Sequence, residues 1–263
     1  MKRFLLSLAS VVMLCNIHAA DTWQVPDEEL HYNVRFKWGL IDANVGIATV
    51  TTLSIPGSGQ FRATLSGKSV DLLGHYYAVG DTVQASMLHG SLSLAKNERV
   101  SMEHGEFAIE TITGNATGPS SDGPVVAHLQ DGKVIRSRIS EYGSGLTIDL
   151  LSVFYYIRQI EYPEFQPGQQ FAINLSNGNQ IEKLHIRYLG TDNVDVNGVS
   201  YTGAFHISLT FGGLSSSKID SMEVWIADNG QHIPVKINGS LSVGHVECRY
   251  INSETYNAIT SGQ

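Results

Sequence analysis

Apolar and polar residues alternate along most of this chain. Leu30, Tyr32, Val34, Phe36 and Trp38 fall on one side of an extended run, with His31, Asn33, Arg35 and Lys37 on the other. After Gly39 the alternation resumes through Ile41, Ala43, Val45, Ile47, Thr49, Thr51 and Leu53, so the two runs read as a hairpin or a bent strand pair. Phe205, Ile207, Leu209 and Phe211 alternate with His206, Ser208 and Thr210 in the same way. A period of two puts one set of side chains on each face of a pleated strand, as antiparallel sheets with one buried face require. Shorter alternating runs predict strands over 61–67, 75–79, 82–88, 91–95, 99–103, 106–112, 125–130, 133–138, 170–175, 180–189, 193–196, 222–227, 233–237 and 240–250. Asp131-Gly132, Asn177-Gly178, Asn197-Gly198, Asn229-Gly230 and Asn238-Gly239 are tight-turn signals, because these pairs adopt positive φ at little cost.

One stretch changes period. Leu150, Leu151, Phe154, Ile157 and Ile160 are spaced as on one face of a helix. Thr147 or Asp149 can cap its start and Pro163 stops it, which predicts an amphipathic helix over about 149–161. The expected fold class is therefore all-β. It is a strongly curved antiparallel sheet, or a half-open β-barrel or roll, whose open end is plugged or covered by this one central helix.

The first residues add a compartment. Lys2 and Arg3 precede an apolar run from Phe4 to Leu14, and small residues follow at Ala19 and Ala20. That is the pattern of a cleaved signal peptide over 1–20, too short for a permanent membrane span. The expected division is a signal peptide at 1–20, a single β domain at 21–252 and a frayed C-terminal tail at 253–263. Val12-Met13-Leu14-Cys15 is a poor lipobox because leucine precedes the cysteine, so ordinary cleavage is expected rather than lipid attachment at Cys15. No later run approaches eighteen apolar residues, which argues against a transmembrane helix. The expected location is periplasmic or secreted, in a bacterial envelope. After cleavage Cys248 is the one remaining cysteine, so no intrachain disulfide forms, and it is expected to pack as a small apolar residue.

The formal charge of −8, with no basic run, excludes nucleic acid as a natural partner and argues against anionic headgroups. Catalytic patterns are weak. Ser93-Leu94-Ala95-Lys96 and Ser215-Ser216-Ser217-Lys218 match S-x-x-K, but neither falls on a helix that would place serine and lysine on one face. No histidine pair has metal-ligand spacing. Asp27, Glu28 and Glu29 read as a solvated acidic stretch, and Asp71, Asp81, Asp149 and Asp228 are scattered. No catalytic residue, metal site or cofactor is assigned.

Three segments carry a resemblance. They are Leu30–Gly39 with Ala43-Asn44-Val45-Gly46, Asp149–Arg158, and Val224–Lys236 with its Trp225 and Pro234. They resemble the opening hairpin, central helix and closing hairpin of the domain of unknown function 3108 family, whose known members look like single all-β exported envelope proteins of Bacteroidetes and Proteobacteria. The resemblance runs from about Glu28 to Arg249 and implies a fold and a compartment, but no activity. Arg158 follows the aromatic face of the helix. A buried arginine needs a partner, for which Asp149 or Asp228 is the expected candidate.

The leading functional expectation is a non-enzymatic envelope protein that binds an apolar or amphipathic ligand, such as a lipid or a lipoprotein acyl chain. The ligand would lie between the curved sheet and the helix. Tyr32, Phe36, Trp38, Phe154, Tyr155, Arg158 and Trp225 are the candidate binding residues. Two alternatives are an envelope glycan or lipid hydrolase using clustered aspartate and histidine, and a scaffold that binds an envelope protein partner by strand addition.

Overall fold

The computed structural model describes residues 24–70, 76–90, 92, 94–103, 106–113, 125–130, 133–139, 147–176, 181–212 and 219–261. The expected signal peptide, the loop around 113–124, Asp71, Ser93, the Ser215–Lys218 segment and the turns at 131–132 and 177–178 lie outside the described residues, wholly or for the most part. Strands β1 to β8 are Glu28–Trp38, Ile41–Ile55, Gln60–Val70, Tyr76–Leu88, Leu94–Glu103, Glu106–Thr113, Val125–Gln130 and Lys133–Ile139. Strand β9 is Thr147–Asp149 and leads into helix α1, Leu150–Tyr156. Strands β10 to β15 are Gln170–Ser176, Ile181–Val196, Val199–Gly212, Ile219–Ile226, Pro234–Leu241 and His245–Ile251, followed by helix α2, Ser253–Ser261.

All of these strands belong to one sheet, in the order β8 down to β1, then β15 down to β9. Each strand pairs antiparallel with its neighbour except β9, which runs parallel to β10. The first and last strands meet in the middle: Tyr32 faces Tyr250 and Val34 faces Cys248. From that seam hairpins run outward in both directions, and the sheet does not close. Its curvature follows from what α1 touches. The Tyr155 hydroxyl is hydrogen-bonded to Thr52 on β2, while the adjacent Tyr156 ring packs against Phe171 on β10. One helical turn reaches both strands because the sheet curls around it, burying the apolar face that the alternation marks. The fold is all-β with a strongly curved, non-closed sheet.

Several local expectations change. The alternation of β2 reverses partway along. Val34 pairs with Gly46 but Arg35 with Asn44, so Val45 is an extra residue in a bulge. Beyond it Ala48, Val50 and Thr52 face inward, and the series Thr49, Thr51 and Leu53 faces out. A single added residue flips the side-chain parity of everything after it. Glycine is required beside the bulge, since a Cβ on Gly46 would stand 2.2 Å from the Lys68 carbonyl oxygen. The run 240–250 is two strands, broken at Gly244, whose φ of +74° makes the turn, while Asn238-Gly239 lies inside β14. The helix is shorter than the apolar spacing predicts. The Arg158 and Gln159 amides bond three residues back, to Tyr155 and Tyr156, which tightens and ends it. The C-terminal segment is helical, not frayed: Asn252 Oδ1 accepts from the Thr255 amide, and Tyr256 stacks on His31 with ring centroids 3.7 Å apart.

Candidate functional site

The curled sheet and α1 enclose a cavity of about 310 Å³. Its wall takes Ala48, Val50, Leu65 and Val83 from β2, β3 and β4, and Leu209, Val224 and Ile237 from β12, β13 and β14. α1 supplies the remaining side, including Val153 and Phe154. Among the lining side chains only Tyr32 and Cys248 carry an oxygen or a thiol; the rest are hydrocarbon or thioether. Ala48, Leu65, Val83, Phe154, Phe211, Met222 and Ile237 are only half-buried although they point inward, because the space before them is unfilled. A close-packed core leaves no such surface.

Burial pushes the Cys248 thiol up to about 11, so it is protonated and unreactive near neutrality. Burial also pushes Tyr32 well above its ordinary value, opposed by the nearby Arg158 charge. The Tyr32 hydroxyl is buried with no hydrogen-bond partner among the described residues.

The two ends of the interior differ. At one end the C-terminal side of α1 is sealed. Arg158 donates to both carboxylate oxygens of Glu28, and its Nε and Nη2 donate to the Gln231 carbonyl oxygen at 3.2 and 3.1 Å. Its guanidinium lies 5.5 Å from the Phe154 ring centroid. Tyr162 donates to the Ile157 carbonyl oxygen at 2.6 Å and stacks on Phe205. Burial, outweighing the Thr52 hydrogen bond, pushes Tyr155 up to about 12, so its hydroxyl keeps its proton. At the other end α1 begins at Leu150, which lines the cavity and is 56 % exposed. Leu150 follows Asp149, which pairs with Ser176 at the end of β10. Strands β10, β14 and β1 run the same way, so the β1–β2 and β14–β15 turns stand at this open end too.

Of the sequence candidates, Tyr32 and Phe154 line the cavity, and Tyr155 and Arg158 close its sealed end. Phe36 is half-buried, nearer the open end, and does not line the wall. Trp38 is exposed, because the β1–β2 turn projects past His245, where the partner strand β15 begins. Trp225 lies on the outer face of β13, stacked with His206 at 4.2 Å and covered by the Lys236 ammonium at 4.7 Å. Arg158 is paired as expected of a buried arginine, but with Glu28 in place of Asp149 or Asp228. Asp149 instead caps α1, accepting from the Ser152 amide at 2.6 Å, and Asp228 is exposed. Among the described residues, no Asp, Arg or His lines the cavity. Among the described residues no group of three or more His, Cys, Asp or Glu is gathered.

The model of a protein family described as a protein of unknown function, DUF3108, matches residues 31–249. The chain belongs to the DUF3108 family. No curated protein matches it. The structure of this DUF3108 chain is similar to the crystal structure of a β-barrel-like protein of domain of unknown function DUF1849 from Brucella abortus. The TM-score is 0.56 at 6 % identity, over 85 % of this chain and 95 % of that one. At that identity the likeness is one of fold alone.

Sequence reasoning missed two parts of this arrangement in the DUF3108 chain. Glu28 reads as part of a solvated acidic stretch, yet it neutralises a buried arginine 130 residues away. The inward series Ala48 and Val50 is hidden by the bulge at Val45. Gly46, a glycine inside an alternating run, was the one signal that could have revealed it.

Proposed function

We propose that the protein is an exported, non-enzymatic carrier. It holds an apolar or amphipathic ligand, such as a lipid or a lipoprotein acyl chain, between the curved sheet and α1. The observation that carries this reading is the cavity of about 310 Å³ with its hydrocarbon wall. An unfilled cavity costs about 24 cal/mol per Å³, so one this size costs at most roughly 7 kcal/mol. That is comparable to the whole net stability of a domain, about 5–15 kcal/mol. A ligand offsets the cost directly. Burying ten methylenes at ~0.8 kcal/mol each gives about 8 kcal/mol, the free energy of micromolar binding. The volume sits near the small end of ligand sites, roughly 300–1,000 Å³. It suits one chain, with a polar headgroup left at the open end. Export is supported by the N-terminal charge and hydropathy pattern, and the absence of a disulfide pair suits a bacterial envelope.

Titration with a fluorescent fatty acid tests the reading. Ala48 faces the void, so Ala48→Trp fills it without displacing packed neighbours. The wild-type protein is expected to bind at about micromolar concentration, and Ala48→Trp to lose tenfold or more with its far-ultraviolet circular dichroism unchanged. Equal binding by the two folded proteins contradicts the reading. Val83→Phe serves if the tryptophan variant does not fold.

Strand addition is a second reading, supported by the unpaired edge that β8 presents among the described residues. Proline substitutions within Lys133–Ile139 would abolish partner capture on that reading and leave it intact otherwise. The hydrolase alternative has no comparable observation in its favour.

A further inference from the structure

Among the described residues, five of the eight exposed large apolar side chains gather at one end, and Val45, Leu53 and Val199 lie outside that group. Trp38 (55 %), Leu40 (fully), Ile41 (49 %) and Val243 (52 %) are exposed on two neighbouring turns at the open end of the cavity. The turns touch: an added Cβ on Gly244 would meet the Lys37 carbonyl oxygen at 2.3 Å and the Trp38 Cβ at 3.1 Å. Leu150 is exposed at the same end, where it lines the cavity. Immediately behind the turns lies a cationic outer face. Arg35 pairs with Asp42 at 2.8 Å, and Lys37, Lys236 and Arg249 all converge on the buried Glu247. These four cations face Asp42 and Glu247, and Glu223 lies two strands from Glu247 in the same row of the outer face, which leaves a surplus of one positive charge among these described residues on a chain whose formal charge is −8.

We propose that this end docks on the surface of an anionic phospholipid bilayer, with Trp38, Leu40, Ile41 and Val243 inserted at the headgroup level. Tryptophan prefers that level because it presents an apolar body and an N–H to a half-wet layer. Leucine and isoleucine beside it add buried apolar area, and the cations behind meet the lipid phosphates. The chain's overall acidity argues against anionic headgroups, but charge beyond a Debye length of about 10 Å is screened, so the local surplus decides. Docking in this orientation sets the cavity mouth against the bilayer, so a chain can pass without crossing water. The proposal rests on the turns and their charges and does not depend on what fills the cavity.

Flotation with vesicles tests it, using phosphatidylcholine alone and phosphatidylcholine with phosphatidylglycerol. The wild-type protein is expected to float with the anionic vesicles, less so at high salt, and not with the zwitterionic ones. Leu40→Asp removes one inserted side chain at a fully exposed turn position, where folding is indifferent to it, and should lower partitioning by about tenfold. Trp38→Ala should lower it as well. Ala48→Trp, blocked in the cavity, should float as the wild type does, which separates this proposal from the ligand reading. Equal flotation of wild type and Leu40→Asp overturns the proposal, and equal flotation with both vesicle types overturns the assignment to an anionic surface. A concentration-dependent dimer dissolved by Leu40→Asp, without flotation, gives the turns to a second copy of this chain and also overturns it.

Discussion

The two ends of the interior are built on opposite rules. At the sealed end buried polar groups are tied to one another, Arg158 with Glu28 and Gln231, Tyr155 with Thr52, Tyr162 with the Ile157 carbonyl oxygen, while the Gln159 side-chain amide and the Tyr32 hydroxyl have no partner among the described residues. Aromatic rings fill what remains, as where Tyr155 meets Phe61 at 5.0 Å. Toward the open end the inward side chains are hydrocarbon or thioether, and Ala48, Leu65, Val83, Phe211, Met222 and Ile237 are only half-buried, facing unfilled space. Packing and hydrogen bonding specify the first region uniquely. The second lacks contacts that a ligand of the right chemistry could supply. The tightly packed part of the interior and its unfilled part thus lie apart along one axis, with α1 crossing between them.

The largest effect is expected where the sealed end is broken. Arg158→Ala leaves the Glu28 carboxylate buried without its partner and should cost about 3–5 kcal/mol in urea unfolding. The double change Glu28→Gln with Arg158→Met removes both charges and should cost much less than Arg158→Ala alone. Additive costs would mean that the pair is not the seal described here. A smaller effect is expected from Tyr155→Phe, which strands the buried Thr52 hydroxyl and should cost about 1–2 kcal/mol.

The pH dependence sharpens the contrast between interior and exterior. Burial raises the Glu247 carboxyl, but hydrogen bonds from Arg249 and Lys37 and the charges of Arg249 and Lys236 outweigh it, holding it below its ordinary value of 4.5. A depressed acid contributes stability that is present above the unfolded value and is lost as pH falls through the folded one. Unfolding midpoints should therefore fall as pH drops below about 4.5. Glu247→Gln should flatten that slope, and an unchanged slope would remove Glu247 from the account. The smallest effect is expected from Tyr32→Phe. The deleted hydroxyl has no partner among the described residues, so stability should stay within about 0.5 kcal/mol of wild type or rise. A loss as large as that of Tyr155→Phe would show a hydrogen bond at Tyr32.

Much of the fold was legible because it rests on local periodicity. The alternation in β1 and β12 and the helical spacing from Leu150 to Ile157 each report one buried face, and the family resemblance runs over the same segments. The parity of β2 was misread because a bulge acts through a single residue, Val45, without disturbing the alternation on either side. The site was half legible. Tyr32, Phe154, Tyr155 and Arg158 sit on elements whose period is clear. Glu28 and the stacking of Tyr256 on His31 depend on contacts across most of the chain, and no local pattern encodes them. Trp38 was read as inward because the alternation continues to the last residue of β1, whereas the neighbouring strand stops one position earlier, at His245.

The central claim is that the hydrocarbon-lined space beside α1 is where a ligand lies. Methyl nuclear magnetic resonance of the labelled protein with an unlabelled fatty acid reads this directly, through intermolecular nuclear Overhauser effects that act only over a few ångströms. The account predicts such effects from the acyl chain to the methyl groups of Leu65, Val83, Leu209 and Ile237, which face the cavity, and none to those of Val196 and Val235, beneath Trp225 on the outer face. Effects to Val196 and Val235 instead, or to neither set, would contradict it.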